Sequence, residues 1–408
     1  MNSKLQIKRP ELVSPAGNWS SLKSAVKAGC DSVYFGVKGI NMRSAADNFE
    51  INEISKIMDY LRTHGKKGYL ALNVIVYDKE TKKVERILET ARKYGVNAVI
   101  LWDMAVFSMA KAMGLNIHLS TQASVANFES LKFFDKMGVK RIVLARECAL
   151  SDIKRIIKAE KKENIKCQIE SFVHGAMCVS VSGRCFLSQM SFSKSANRGE
   201  CLQPCRREFK ITDVDDQSQY VIGKDYVLSP TDLCSIMFVD KLMDAGISAF
   251  KIEGRMRSPE YVKEVTLVYR EAIDAALEKK LSDKMKKELF KRLKNVFNRG
   301  FSDGFYFSVP EDLGSKVGEK GEKRFLGEVV KYYKKIGVAE IKIMTADLLI
   351  GEKLLIYGDN TPAEFFINEE MQVEHKTIKK AKKGTMVGMK VPSRVRPKDK
   401  VFSWKDIN

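Results

Sequence analysis

The chain has 408 residues, more than one small core can organise, and 44% of them are hydrophobic, which excludes general disorder. A formal net charge of +20 favours a polyanion such as RNA or an acidic surface, the bland alternative being a lysine-rich solvated face. The opening MNSKLQIKRPELVSPAG lacks an apolar signal-peptide core and no run of about eighteen apolar residues occurs, so a cytoplasmic protein with no membrane span is expected.

In chain order, short apolar runs alternate with amphipathic helical segments. The runs are ELVSPAG (11–17), SVYFGV (32–37), GYLALNV (68–74), AVILWD (98–103), NIHLSTQA (116–123), RIVLARE (141–147), CQIESFV (167–173) and AFKIEG (249–254). Between them INEISKIMDYLRTHG places Ile51, Ile54, Met58 and Leu61 on one helical face and closes on Gly65; other helices close on Gly29, Gly95, Gly114, Gly138 and Gly246. Apolar runs without clean alternation suit parallel strands covered on both faces. Eight such units predict an α/β chain folded as a TIM-like (β/α)8 barrel, with a doubly wound open sheet as the competing architecture.

The seventh unit is irregular. A segment of roughly 174 to 230 separates CQIESFV from the helix-like PTDLCSIMFVDKLMDAG, too long for an ordinary strand-to-helix connection. Barrel loops of this kind lie on the C-terminal face, where chemistry is done. Next, DKMKKELFKRLKNVFNRG reads as a basic helix ending at Gly300. From about Phe325 to Trp404, FLGEVVKYY, VAEIKIMT, KLLIYG, TMVGMKVP and KVFSW are strand-like, which predicts a small β-barrel. The chain thus divides into a catalytic barrel domain, 1–320, and a basic β-rich domain, 321–408. Lys376 to Lys400 holds ten basic residues and one acid. This is either a lysine-guarded strand edge or, the reading preferred here, a face that holds nucleic acid.

Eight cysteines in a reducing cytosol are not a disulfide framework. Cys178, Cys185, Cys201 and Cys205 stand together in the long seventh loop, with six, fifteen and three residues between them. Zinc favours CxxC knuckles, which are absent from this set, whereas a 4Fe-4S cluster accepts irregular spacing; spacing alone leaves cluster, zinc and no metal open. Arg198, Arg206 and Arg207 would offset the charge of ligating thiolates. Cys30, Cys148 and Cys167 read as core thiols. Cys234, placed early in a helix, is a possible substitute ligand.

Glu170, Phe172, Gly175, Ala176, Cys178, Gly183, Cys185, Leu187 and Ser188 fill every position of the pattern ExFxxG[SA]xCxxxxGxCxLS. The sequence thereby resembles the U32 peptidase family. ELVSPAGNWSSLKSAVKAGCDSVYFG, LSTQAS and KIEGRMRSPEYV extend the resemblance across the barrel. Despite the family's name, the resemblance implies an oxygen-independent hydroxylase. The nearest type is the tRNA uridine 5-hydroxylases, because RGECLQPCRREF and a β-rich extension are both present. The resemblance implies hydroxylation of the wobble uridine to 5-hydroxyuridine and a 4Fe-4S cluster on Cys178, Cys185, Cys201 and Cys205. Prephenate would be the oxygen donor and the tRNA anticodon stem-loop the partner. Ribosomal RNA or a ubiquinone precursor is an alternative substrate.

Polar residues at strand ends can line one pocket: Asn73, Asp103, Ser120, Gln122, Arg146, Glu147, Glu170, His174, Glu253 and Arg255. Arg146 and Arg255 could clamp a dicarboxylate such as prephenate, with Arg43 as a further anion binder. His174 and Gln122 are candidate catalytic groups, His174 as a donor to a substrate oxygen or the cluster edge. Glu253 is a candidate base or the ion partner of Arg255. Each could equally be a rim salt bridge or a satisfied core polar group. A collagenase-like peptidase is the rival class. It finds no HExxH or GxSxG motif here, and the four histidines leave few bases for a nucleophile. A pure RNA-binding module would not need four clustered cysteines.

Overall fold

The computed structural model describes residues 9–44, 47–207, 209–212, 219–222, 231–307, 321–374 and 376–406. Eight parallel strands follow one another: β1 (Glu11–Ala16), β2 (Ser32–Gly36), β3 (Lys67–Leu72), β4 (Ala98–Leu101), β5 (Ile117–Leu119), β6 (Arg141–Val143), β7 (Gln168–Ala176) and β8 (Ala249–Ile252). Each pairs with the next, except that β8 pairs with both β7 and β1. That last pairing closes a barrel and rules out the open sheet.

Helices α1 (Trp19–Lys27), α2 (Ile54–Thr63), α3 (Thr81–Lys93), α4 (Met104–Ala112), α5 (Phe128–Lys136) and α6 (Leu150–Lys162) alternate with the strands. Their starts are chemically marked. Asn18, Asp103 and Asn127 each accept backbone N–H groups of the first turn. In α2 the buried face is Ile54, Ile57, Met58 and Leu61. Ile51 lies one turn earlier, in a short 3₁₀ segment.

The barrel interior carries both apolar and charged layers. Val13, Tyr34, Tyr69, Ala98, Ile100 and Ala249 form its apolar part. Arg141 bridges Glu11 (2.9 Å) and Glu170 (3.2 Å), and Lys251 reaches the other oxygen of Glu170 at 2.7 Å. Burial alone would raise the pKa of Glu170; Lys251 and Arg141 outweigh burial and hold it below the usual carboxylate range. His118, beside them, is pushed down to about 3 by burial and by Arg141, so it is neutral.

After β7 the insertion begins. It holds a short helix, α7 (Leu187–Phe192), and a hairpin of Phe209–Thr212 with Gln219–Ile222. Residues 213–218 and 223–230 of the expected insertion lie outside the described residues. The chain returns as a short strand, Asp232–Cys234, antiparallel to the end of β7. Cys234 is therefore on a buried strand, and the helix expected to hold it, α8 (Val239–Ala245), starts five residues later. Two helices follow β8, α9 (Pro259–Leu277) and α10 (Asp283–Lys294). The expectation that α10 runs to Gly300 is corrected. Asn298 turns back on the carbonyls of Lys294 and Val296 and accepts from Gly300 N, and Phe301–Ser302 then pairs with Asp232–Leu233.

The boundary expected at 320/321 adjoins residues 308–320, which lie outside the described residues. From Gly321 the chain forms an eight-stranded antiparallel sheet with its own apolar core. All five expected runs are strands of it, joined by Thr361–Ile367, Met371–Val373 and Lys376–Ile378, which carry weaker patterns. This domain seats on α1 and α9. Ala363 N donates to Ser24 Oγ (3.0 Å), Lys263 meets Glu364 (3.0 Å) and Lys323 meets Glu260 (2.9 Å). Glu260 and Lys263 belong to the first turns of α9, the end nearest the barrel mouth.

Removing one partner of a buried pair leaves a charge uncompensated, typically at a cost of about 3–5 kcal/mol. Arg141→Met should therefore destabilise the barrel on that order, measured by urea denaturation followed through far-UV circular dichroism. A change below about 1 kcal/mol would show that the interior charges are solvated and not structural.

Candidate active site at the barrel mouth

The C-terminal ends of the strands surround a cavity that opens to solvent. Four cations and one acid line it: Arg43, Arg146, Lys251, Arg255 and Glu253. Glu253 and Arg255 follow directly from β8. Gly175, in β7, allows them their position. Its φ is +106°, and a Cβ there would stand 2.6 Å from the Glu253 carbonyl oxygen. Only glycine lets these two strand ends come so close.

Glu253 is shared between guanidinium groups. Arg43 donates to Oε1 through Nε (3.3 Å) and Nη2 (3.2 Å), and Arg146 approaches Oε2 at 3.6 Å. Burial would raise the carboxyl pKa, but Arg43, Arg146 and Arg255 together hold it at about 2. Arg255 is 5% exposed; its Nη1 donates to Asn41 Oδ1 at 2.8 Å, and its buried Nε has no partner. Burial lowers its pKa to about 10, still cationic at neutral pH. Arg146 lies over Phe172, 4.1 Å from the ring centroid. On the opposite wall, Gln122 Oε1 accepts from Ser120 Oγ and from Asn73 Nδ2 (3.3 Å), which leaves its Nε2 to offer a ligand.

The insertion supplies the remaining wall. Cys178, Cys185, Cys201 and Cys205 all line this same cavity, with Gly183, Leu187 and Ser188. Gly199 anchors the loop: its φ is +85°, and a Cβ would stand 2.1 Å from Asn41 O. Arg206 Nη2 donates to Met177 O (2.6 Å), and Cys185 N donates to Asn197 Oδ1 (3.0 Å). Burial raises the Cys205 thiol pKa, opposed by Arg206. Among the described residues no three His, Cys, Asp or Glu side chains are gathered closely enough to hold one metal ion. Cys30, Cys148, Cys167 and Cys234 are buried, and burial pushes each thiol up to about 12. Cys234 is not among the cavity's lining residues.

Of the residues singled out from sequence, Arg43, Asn73, Ser120, Gln122, Arg146, Glu253 and Arg255 meet in the cavity with the four cysteines. His174 does not. A bulge sets β7 out of register with β8 between Lys251 and Ile252, so Phe172 faces in and His174 faces out. There it packs on Tyr261, Tyr269 and Phe301, and burial followed by Arg257 lowers its pKa to about 3. Asp103 is the cap of α4, Glu147 is exposed, and Glu170 sits in the barrel interior beneath the cavity. Lys251, Tyr34 and Thr121 line the site without having been singled out. A charge inside the otherwise apolar AFKI run was the available signal for Lys251.

The family model described as peptidase family U32 matches residues 17–316. An uncharacterized protease of Methanocaldococcus jannaschii is 42% identical over 97% of this chain and 98% of its own length. A collagenase of Porphyromonas gingivalis is 38% identical over 97% of each chain. The tRNA hydroxylation protein P1 of Bacillus subtilis is 35% identical over 80% of this chain and 78% of its own.

A carboxyl whose folded pKa lies below its unfolded value stabilises the fold above the unfolded pKa, and that contribution disappears as pH falls. For Glu253 the fall from 4.5 to about 2 corresponds to roughly 3 kcal/mol. Glu253→Gln should be less stable than the parent by that order near pH 7. The gap should close between about pH 5 and pH 2 as the parent's carboxylate is protonated. Urea midpoints across this range test it, and a pH-independent gap would contradict the assignment.

Proposed function

The chain belongs to peptidase family U32, and from that premise we propose that it is an RNA-modifying hydroxylase. Its substrate would be carbon 5 of the wobble uridine of tRNA and its product 5-hydroxyuridine, with prephenate as oxygen donor. The observation that carries this reading is one cavity holding both a set of arginines and four cysteines of one loop. A tRNA hydroxylation protein among its relatives supports the substrate class.

Cys178, Cys185, Cys201 and Cys205 would hold a 4Fe-4S cluster. In a cubane each thiolate binds a different iron, so the sulfurs stand further apart than around one tetrahedral ion. Thiols spread around a cavity suit that better than zinc. Arg43 and Arg206 both feel the field of these cysteines and would offset a ligated cluster's negative charge. The cluster would supply electron transfer or a site that binds the donor. Arg255, Arg146 and Arg43 would bind the two carboxylates of prephenate by charge-assisted hydrogen bonds, the unpartnered Arg255 Nε among them. Glu253 holds these guanidiniums together and fixed. Gln122 Nε2 would meet a carbonyl of the base. A stacked base cannot enter such a cavity, so the uridine must be splayed out. The exposed lysines of 376–400 would take the phosphates of the anticodon stem-loop.

Some relatives carry protease names, but no histidine lines the cavity, so neither a Ser–His nor a Cys–His pair is set up there among the described residues. Two measurements decide the matter. Deleting the gene should remove 5-hydroxyuridine and nucleosides derived from it from digested tRNA, as read by mass spectrometry. Unchanged levels together with gelatin cleavage by the purified chain would favour the protease. Anaerobically purified protein should be brown and hold about four irons. Colour should fade in Cys185→Ser, whereas zinc without iron in the parent would overturn the cluster.

A further inference from the structure

The cysteine insertion carries an outer face that the cavity does not use. Three of its arginines lie over aromatic rings. Arg184 is 4.9 Å from the centroid of Trp102, Arg198 is 5.0 Å from that of Tyr77, and Arg207 is 4.9 Å from that of Phe192. Trp102 follows β4 and Tyr77 follows β3, so two of these stacks tie the insertion to loops of the barrel mouth. Arg184 is also fixed by donating to Gln122 O, and Arg198 by donating to Ile75 O and Glu80. Beside the stacks, large apolar groups face solvent. Phe186 is 69% exposed, Met190 83% and Tyr77 53%. Phe186 and Met190 are one turn apart, Met190 N donating to Phe186 O at 2.9 Å. Between them, Leu187 and Ser188 turn toward the cavity. From Cys178 to Arg207 there are five basic residues and one acid.

We infer that this rim is a base-stacking collar for single-stranded RNA. The inference rests on the RNA reading above and adds where the strand is gripped. Flat rings and guanidinium planes are what unpaired bases stack on, and the excess positive charge complements the phosphates between them. Such a surface discriminates loops from duplexes, because the bases of a duplex have no free faces. Cys185, Leu187 and Ser188, next to these groups in the loop, line the cavity, so nucleotides flanking the target would be held on Phe186, Met190 and Tyr77 while the target itself enters. An anionic membrane would meet the same charge but has no planar group to place on the stacks and nothing to insert.

The test uses the full, anaerobically purified chain, a fluorescein-labelled RNA stem-loop and a blunt RNA duplex of equal length, with binding read by anisotropy. The exposed pair is changed together, Phe186→Ala with Met190→Ala, and the melting temperature is checked against the parent. The stem-loop should bind the variant about tenfold more weakly, or worse, with duplex affinity unchanged. Equal stem-loop affinity in parent and variant overturns the collar while leaving the RNA reading intact. Equal losses for loop and duplex overturn it as well, since the face would then act by charge alone. So would a shift in oligomeric state on light scattering, or loss of binding to phosphatidylserine vesicles with stem-loop binding unchanged. A parent that binds neither RNA defeats the RNA reading itself.

Discussion

Three guanidinium groups cannot share a half-buried cavity without an anion, and Glu253 is that anion. Its carboxylate takes Arg43 on one oxygen and Arg146 on the other, with Arg255 alongside. Without it, like charges in a low-dielectric mouth would force the arginines apart. The arrangement is therefore a charged socket with a built-in counter-ion. A second anion entering the cavity finds donors already oriented, so little side-chain entropy is lost on binding. Arg255 retains a buried N–H with no acceptor. An unsatisfied buried donor is costly in the free protein and becomes a favourable contact when a ligand oxygen reaches it.

Beneath this socket lies a second charge network, which reaches the cavity through Lys251. Glu170 joins Arg141 and Lys251 in the barrel interior, and Lys251 is at once the top of that network and the floor of the cavity. A lysine held by a carboxylate below and by the ring of Tyr34 at 4.5 Å is fixed in place. The interior is thus an electrostatic column. At its base Arg141 pairs with Glu11 at 2.9 Å.

Much of this is legible in the sequence. Parallel strands covered on both faces read as unbroken apolar runs, so all eight are visible, and the glycines ending the helices mark where each unit closes. The four cysteines stand out because they crowd into one loop of the sequence. The hidden features depend on register and long-range pairing. His174 lies inside the motif, beside Gly175, yet one bulge sends it outward; strand alternation can be read locally, but a bulge is set by the partner strand. Cys234 reads as helical because Ile236 to Ala245 continues in helical rhythm, and only its antiparallel pairing with β7 makes it a strand. The interior ion column is invisible to a local reading because Glu11, Arg141 and Lys251 lie on separate strands, up to 240 residues apart, and meet only when the barrel closes.

The insertion and the barrel form one site because each lacks what the other brings. The barrel supplies cations and an amide wall at fixed strand ends, but a bare barrel mouth is open. The insertion supplies thiols and closes one side. Its hold on the barrel comes from close backbone approach at Gly199 and Asn41 and from arginines stacked on Trp102 and Tyr77. Asn41 takes part in both halves: its carbonyl meets Gly199 and its side chain holds Arg255. A shift of the insertion would therefore be felt at Arg255 through a single residue, and anything that orders the cysteine loop also orders the anion socket. That coupling gives a physical reason for a cysteine-bearing loop and an arginine-lined barrel to occur in one chain.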